Sequence, residues 1–221
     1  NKVQLLATKI LAPDFKDRLI QQDFSIVEFP FVTIIPLPFP EVFLEKHIIL
    51  TSQNATQFLL AQDNISELCT RSFFYCVGEG SAQLLRGHHA TVVEVYPSAS
   101  ELADRITKQH SNKPFSYCCG KRRLPILENR LEEAKISLRI HEVYQSKLNS
   151  KPMGLKPDGI LFYSPSAVDS YVQENEIQES HCFCIGPTTA QKVHPHSLNY
   201  SVAKQPNNNS IYVEIMQHYY A

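Results

Sequence analysis

The feature that most restricts how this chain can fold is a repeat of half-chain length. The stretch Asp158-Gly-Ile-Leu-Phe-Tyr-Ser-Pro-Ser-Ala-Val-Asp-Ser-Tyr171 has a partner 112 positions earlier, His47-Ile-Ile-Leu-Thr-Ser-Gln-Asn-Ala-Thr-Gln-Phe58. In both, an apolar run fit for a buried strand ends in small hydroxyl residues, and helical spacing follows. Tyr75-Cys-Val-Gly-Glu-Gly-Ser-Ala-Gln-Leu-Leu85 matches Phe183-Cys-Ile-Gly-Pro-Thr-Thr-Ala-Gln-Lys-Val193 at an offset of 108, which makes the turns Gly78 to Ser81 and Gly186 to Thr189 equivalent. Ala12-Pro13 through Arg18-Leu19 matches Leu124-Pro125 through Arg130-Leu131, again at 112. Self-similarity at this scale marks a duplicated domain, not a short-period solenoid.

In order, the first half reads as strands Lys2 to Leu6, Ser25 to Phe29, the run after His47, Phe73 to Val77 and Thr91 to Val95. The second half reads as strands Phe115 to Cys119, Ser137 to His141, Asp158 to Phe162, Cys182 to Ile185 and Leu198 to Val202. Helical segments separate them, among them Pro13 to Gln22, Ile65 to Thr70, Glu79 to Arg86, Ala99 to Gln109, Leu124 to Ala134 and Asn209 to Tyr219. Strand and helix in alternation predict an α/β fold: two similar domains with parallel sheets covered by helices on both faces.

Two stretches read as linkers. Pro30 to Pro40 holds Pro30, Pro36, Pro38 and Pro40 among apolar residues, which suits an extended edge segment and excludes helix. Tyr144 to Pro157 is rich in Lys, Asn, Ser and Pro. Both follow the second strand of their half, so the domains are not consecutive. The expected division is a discontinuous domain of residues 1–32 plus 149–221, an inserted domain of residues 37–142, and a two-stranded ribbon of residues 33–36 and 143–148.

Lys plus Arg total 21 against 22 Asp plus Glu, which removes any global attraction to nucleic acid or anionic membrane. No apolar run approaches the roughly 20 residues of a membrane span, and no signal-peptide core is read at the N-terminus. A cytoplasmic monomer with no nucleic-acid or membrane partner is therefore expected. Cys76, Cys118, Cys119, Cys182 and Cys184 lie in strand-like runs, Cys69 ends a helix-like one, and there is no C-x-x-C. Buried free thiols are the reading, with no metal site.

The residues also resemble a known family, the uroporphyrinogen-III synthases of haem biosynthesis, over nearly the whole chain. The most specific parts are Ile160-Leu-Phe-Tyr-Ser-Pro-Ser166 and Ile185-Gly-Pro-Thr-Thr-Ala190, supported by Thr51-Ser52, Val77-Gly78 and Val143-Tyr-Gln145. Lys9 stands where the family commonly has arginine, and Lys121-Arg122-Arg123 replaces a glycine-arginine-glutamate signature. The resemblance implies two α/β domains joined by a ribbon. It also implies conversion of hydroxymethylbilane, a linear tetrapyrrole, to uroporphyrinogen III with inversion of ring D and loss of water, without metal or organic cofactor. It makes Tyr144 the candidate that assists departure of the substrate hydroxyl; ribbon packing is the alternative role for that side chain.

Apart from the resemblance, parallel α/β sheets bind ligands at the carboxyl ends of their strands. Thr51, Ser52, Ser81, Ser164, Ser166, Thr188 and Thr189 are read at such turns, with Gly186 opening the last of them. Free backbone N–H groups and the positive helix end favour carboxylates there, and two such edges facing across a cleft would suit a ligand with many acetate and propionate arms. Each hydroxyl is equally an N-cap. Lys121, Arg122 and Arg123 form the densest basic run, and cations at a helix start oppose its dipole, which hints at an anion. A bilobed small-molecule-binding protein without catalysis is the alternative function. A nucleotide enzyme is disfavoured because Gly78-Glu79-Gly80 lacks a third glycine at Gln83.

Overall fold

The computed structural model describes residues 2–39 and 43–220; Pro40, the last proline of the expected linker segment, lies outside them. The chain forms two compact units: Asn1–Thr33 with Lys147–Ala221, here unit 1, and Ile34–Ser146, here unit 2.

Unit 1 is built on a five-stranded sheet in the order β11-β10-β9-β1-β2, comprising β1 (Gln4–Ala7), β2 (Ser25–Glu28), β9 (Gly159–Phe162), β10 (His181–Cys184) and β11 (Tyr200–Val202). All its pairings are parallel. Alternation along the strands feeds two cores. Leu6, Ile160, Phe162, Cys182 and Cys184 face α7 (Pro165–Glu174) and α8 (Pro187–Val193). Leu5, Ala7, Leu161 and Phe183 face α1 (Pro13–Gln21) and α9 (Asn208–Tyr220). Burial on both faces is why β9 and β10 read as unbroken apolar runs.

Unit 2 repeats the plan. Its sheet runs β3-β8-β7-β4-β5-β6, with β3 (Val32–Pro36), β4 (His47–Leu50), β5 (Phe73–Val77), β6 (Thr91–Tyr96), β7 (Phe115–Gly120) and β8 (Leu138–Leu148). Ile48, Leu50, Phe74, Cys76 and Cys118 pack with α2 (Gln53–Leu60), α3 (Ile65–Arg71) and α4 (Glu79–Gly87). Ile49, Tyr75, Phe115, Tyr117 and Cys119 pack with α5 (Ala99–Gln109) and α6 (Ile126–Glu133). Under the repeat, β7, β8, β4, β5 and β6 stand for β1, β2, β9, β10 and β11. The two sheets then share one spatial order, and what differs is where the chain enters.

The ribbon expected at residues 33–36 and 143–148 forms as part of the unit 2 sheet: β8 runs unbroken to Leu148 and β3 is that sheet's edge strand. Leu37 N–H donates to Val143 O and Asn149 N–H to Phe31 O; partner numbers fall on one strand as they rise on the other, so β3 and β8 are antiparallel. A proline-rich segment is tolerated there because an edge strand has an unpaired side. Two smaller differences arise at chain ends of elements: α6 begins at Ile126 instead of Leu124, and the last strand begins at Tyr200, with Leu198 exposed.

All six cysteines are free and buried. Burial pushes the Cys76 and Cys184 thiols up to about 12, which leaves them as unreactive hydrophobes at neutral pH. Among the described residues, no helix is long and apolar enough to cross a membrane, and no cluster of three His, Cys, Asp or Glu could hold a metal ion.

Candidate active site

In an open parallel sheet the crevice for ligands lies where the strand order reverses. In unit 2 that point falls between β4 and β7, and in unit 1 between β1 and β9. Of the hydroxyl residues singled out in the sequence, Thr51, Ser52, Ser164 and Ser166 lie at these two places, and Ser81, Thr188 and Thr189 lie one strand further out, after β5 and β10.

At the unit 2 point, β4 ends in Thr51 and Ser52. Ser52 is the N-cap of α2, with extended backbone, and its Oγ accepts the Ala55 N–H at 3.2 Å. The Tyr144 hydroxyl donates to the same Oγ at 3.2 Å. Thr51 Oγ1 and the Tyr117 hydroxyl are 2.8 Å apart. Burial holds the Tyr117 phenol well above its ordinary pKa, so it stays neutral. The half-buried Tyr144 ring packs beside Phe58, with centroids 5.9 Å apart, and lies over Gly120 at the end of β7.

Tyr144 reaches this place through an irregularity in β8. Cys119 pairs with Glu142, but Gly120 pairs with Tyr144, so Val143 is an extra residue on β8. Such a bulge re-aims the side chain that follows it. Lys121 N–H then donates to Tyr144 O at 2.8 Å.

Lys121 and Arg122 are exposed just past β7. Arg123, third of the basic run, is internally paired: its guanidinium donates to Glu128 at 2.6 Å, to Glu142 at 3.2 Å and to Gly120 O at 3.0 Å. Two cations of the run, not three, therefore remain outside such pairs.

At the unit 1 point, Ser164 is the N-cap of α7 and accepts the Ala167 N–H at 3.1 Å. Ser166 is half-buried in the first turn of that helix. Lys9, just past β1, places its ammonium 4.2 Å from the centre of the Tyr163 ring. Although the residue is exposed overall, loss of hydration at that end lowers its pKa. The Tyr163 hydroxyl donates to Asn208 at 2.9 Å.

The remaining turn residues divide by the direction they face. Gly186 caps α8 in an extended conformation with open space where a Cβ would be, and Thr188 is exposed beside it. Ser81 and Thr189 hold the same third helical position in α4 and α8, and both are 1% exposed with hydroxyls lacking a hydrogen-bond partner. Their side chains point into their cores, so any contact they make with a ligand is through backbone. Sequence reasoning missed Gly120 and Tyr117. A glycine that ends an apolar strand one residue before a basic run was the available signal for the first.

Comparison with known proteins resolves which family this arrangement belongs to. Residues 13–212 match the family described as uroporphyrinogen-III synthase HemD. The chain belongs to that family.

The family is one of cyclising lyases in haem biosynthesis. Among solved structures, uroporphyrinogen-III synthetase from Helicobacter pylori is similar at 19% identity and TM-score 0.75, covering 98% of this chain and 99% of that one. A mutant uroporphyrinogen III synthase from Thermus thermophilus is similar at 16% identity and TM-score 0.63, covering 97% and 98%. At these identities the likeness establishes the shared fold. A search of curated proteins found no match.

Proposed function

We propose that this chain cyclises hydroxymethylbilane to uroporphyrinogen III, with inversion of ring D and loss of water, and that Tyr144 assists the departing hydroxyl. The observation that carries the reading is the placement of the Tyr144 phenol at the unit 2 switch point, hydrogen-bonded to Ser52 and lying over Gly120. The C–O bond breaks with its electron pair on oxygen, and a proton from the acid makes that oxygen water. The electrophilic azafulvene left behind is attacked by the substituted α-carbon of ring D. The bond from that carbon to the ring C bridge then breaks and re-forms at the free α-carbon of ring D, which inverts the ring, and a proton leaves as pyrrole character is restored.

The substrate's acetate and propionate arms suit the turns at Thr51, Ser52, Ser164, Ser166, Gly186 and Thr188, where helices begin, with Ser81 and Thr189 contributing N–H groups only. Lys121, Arg122 and Lys9 add cations at the strand ends. The same reading has the protein act as a cytoplasmic monomer without a cofactor.

A positioned general acid supplies about 10²–10⁴-fold, and a phenol, a weak acid compared with imidazolium or a carboxylic acid, sits at or below the low end. Much of the acceleration then comes from holding the two ends of the substrate together. The test is formation of the type III isomer from hydroxymethylbilane at saturating substrate, with isomers separated after oxidation. Tyr144→Phe is expected to slow turnover by up to about 10²-fold, while Thr51→Ala and Thr188→Ala each cost little. A Tyr144→Phe enzyme as fast as wild type, beside a turn variant without activity, moves the acid to that turn. Absence of any type III product from the unaltered protein sinks the enzymatic reading in favour of simple ligand binding.

A further inference from the structure

We propose that Ser52 and Gly120 are positioning residues for Tyr144: one aims its hydroxyl and the other makes room for its ring. The inference rests on the assignment of Tyr144 as the acid and gives two neighbouring residues separate, testable roles in it.

Three observations converge on the phenol. The extra residue Val143 turns Tyr144 to stand opposite Gly120, and without it Gly120 would face Val143, which is buried in the unit 2 core. A Cβ built on Gly120 would lie 2.6 Å from Tyr144 Cζ and 2.8 Å from its Cε2 and hydroxyl oxygen. The φ of Gly120 lies outside the left-handed region, so glycine is not needed there for backbone reasons. What it supplies is space, and the atoms that would meet a methyl group are the far end of the Tyr144 side chain. An alanine is accommodated by swinging that ring away while the strand stays in place.

The hydrogen-bond inventory assigns Ser52. A serine hydroxyl has two lone pairs and one hydrogen. One lone pair takes the Ala55 N–H and the other the Tyr144 hydroxyl. The capped helix therefore anchors Oγ, and Oγ anchors the phenol. Both acceptor sites of Ser52 are in use, which leaves its own hydrogen as its only free bonding capacity. Rotation of that hydrogen toward the Tyr144 oxygen frees the phenol hydrogen for the departing hydroxyl and stabilises the negative charge that develops on the phenol. The role differs from that of a carboxylate ligand, because its effect vanishes when the phenol hydroxyl is absent.

Double-variant kinetics on the full chain test this. kcat and KM for type III isomer formation are measured for Ser52→Ala and Gly120→Ala, each alone, and then for Ser52→Ala in Tyr144→Phe and Gly120→Ala in Tyr144→Ala. Each single variant is expected to lower kcat by up to about 10²-fold, the ceiling set by the acid itself, with KM little changed. Added to a chain lacking the phenol, each is expected to cost at most about threefold. Ser52→Thr, which keeps a hydroxyl and a cap, is expected to restore most of kcat. Thermal melts of each variant give the fraction folded at the assay temperature.

Ser52→Ala is the safeguard should Gly120→Ala melt below the assay temperature. Losses that multiply in full in the phenol-free backgrounds overturn the positioning role, as does a rise in KM at constant kcat. Tyr144→Phe with wild-type turnover overturns the acid assignment and this inference together. Tyr144→Phe that is slow, combined with additive losses, overturns this inference alone.

Discussion

Ser52 and Ser164 stand 112 residues apart at the same turn of the duplicated chain, and each caps a helix in the same way. The N–H of the third helical residue reaches the serine oxygen at 3.2 Å in unit 2 and 3.1 Å in unit 1. They part company in what else reaches that oxygen. Ser52 receives the Tyr144 phenol, whereas the position 112 before Tyr144 is Val32, an apolar residue packed against the unit 1 core. Unit 1 carries Lys9 on the face of Tyr163, and its repeat equivalent in unit 2 is the exposed Lys121. Duplication has thus left two equivalent strand-end crevices that each keep a cation but differ in equipment: a phenol reaches the capping serine in unit 2, and the cation lies on an aromatic face in unit 1. Unit 1 serves as an internal control for what the capped turn does by itself.

That control gives the largest expected contrast. Ser52→Ala and Ser164→Ala each remove one N-cap and are expected to destabilise by about 1 kcal/mol, with similar shifts in melting temperature. Their kinetics should separate. Ser52→Ala acts on kcat, by up to about 10²-fold. If Ser164 meets the substrate only through its turn, Ser164→Ala is expected to act on KM, by at most about tenfold. Equal kcat losses in the two variants would show that the turns are functionally equivalent and that the phenol confers nothing on Ser52.

Much of this comparison could be read in the sequence because it rests on local chemistry. A small hydroxyl residue between a buried strand and a helical spacing is an N-cap on propensity alone, and the repeat doubled the signal. Parallel sheets followed from strands that are apolar on both faces. The missed parts depend on distant partners. Whether Tyr144 faces solvent or Ser52 is decided by one extra residue in β8 relative to β7, and the extra residue exists only in that pairing. Gln145, Ser146 and Lys147 read as one side of a ribbon; that they continue the same strand as Leu138 to Val143 depends on pairing within the unit 2 sheet. The inward turn of Ser81 and Thr189 is set by how α4 and α8 lie on their sheets, and the loss of Arg123 to Glu128 and Glu142 joins residues from two other elements.

The cation of unit 1 should have a smaller and different signature. Among the described residues Lys9 has no carboxylate ion-pair partner, and its ammonium is held by the π-face of Tyr163. Stacking on an aromatic ring is worth about 0.5–2 kcal/mol and a charged hydrogen bond to a ligand about 1.5–3 kcal/mol. Lys9→Met keeps the stem and loses the charge, and is expected to raise KM for hydroxymethylbilane roughly tenfold with kcat held. Lys9→Arg should recover most of it. A fall in kcat at constant KM for Lys9→Met would assign unit 1 a share in the chemical step and erase the division of labour between the units.

The smallest expected difference is in acid stability and lies at the opposite, amino ends of the strands. In unit 1, His181 is 7% exposed; its Nδ1 lies 2.6 Å from Asn199 Oδ1, its Nε2 lies 2.7 Å from Ser201 Oγ, and its ring stacks on His218 at 3.8 Å. The amide oxygen can only accept, so Nδ1 carries the hydrogen and Nε2 accepts from serine. Burial lowers the His181 pKa; the bond to Asn199 opposes this in part, and the neighbouring His218 adds to it. Under the repeat, the position of His181 is Phe73 in unit 2, and the imidazole there is instead His47, stacked on Phe73 and likewise lowered by burial. A base whose pKa is lower folded than unfolded favours the folded state fully above its unfolded pKa, near 6.5. That stability is lost as pH falls toward the folded value, because the unfolded chain then binds more protons. Denaturant midpoints should therefore fall between pH 7.5 and 5.5. His181→Phe, which gives unit 1 the residue that unit 2 already has, is expected to reduce the slope and leave the share due to His47 and His141, whose pKa burial also lowers. Its absolute stability should drop as well, since Asn199 and Ser201 lose a partner, so the slope is the informative quantity. An unchanged slope would mean that the imidazole of unit 1 is as easily protonated in the fold as out of it.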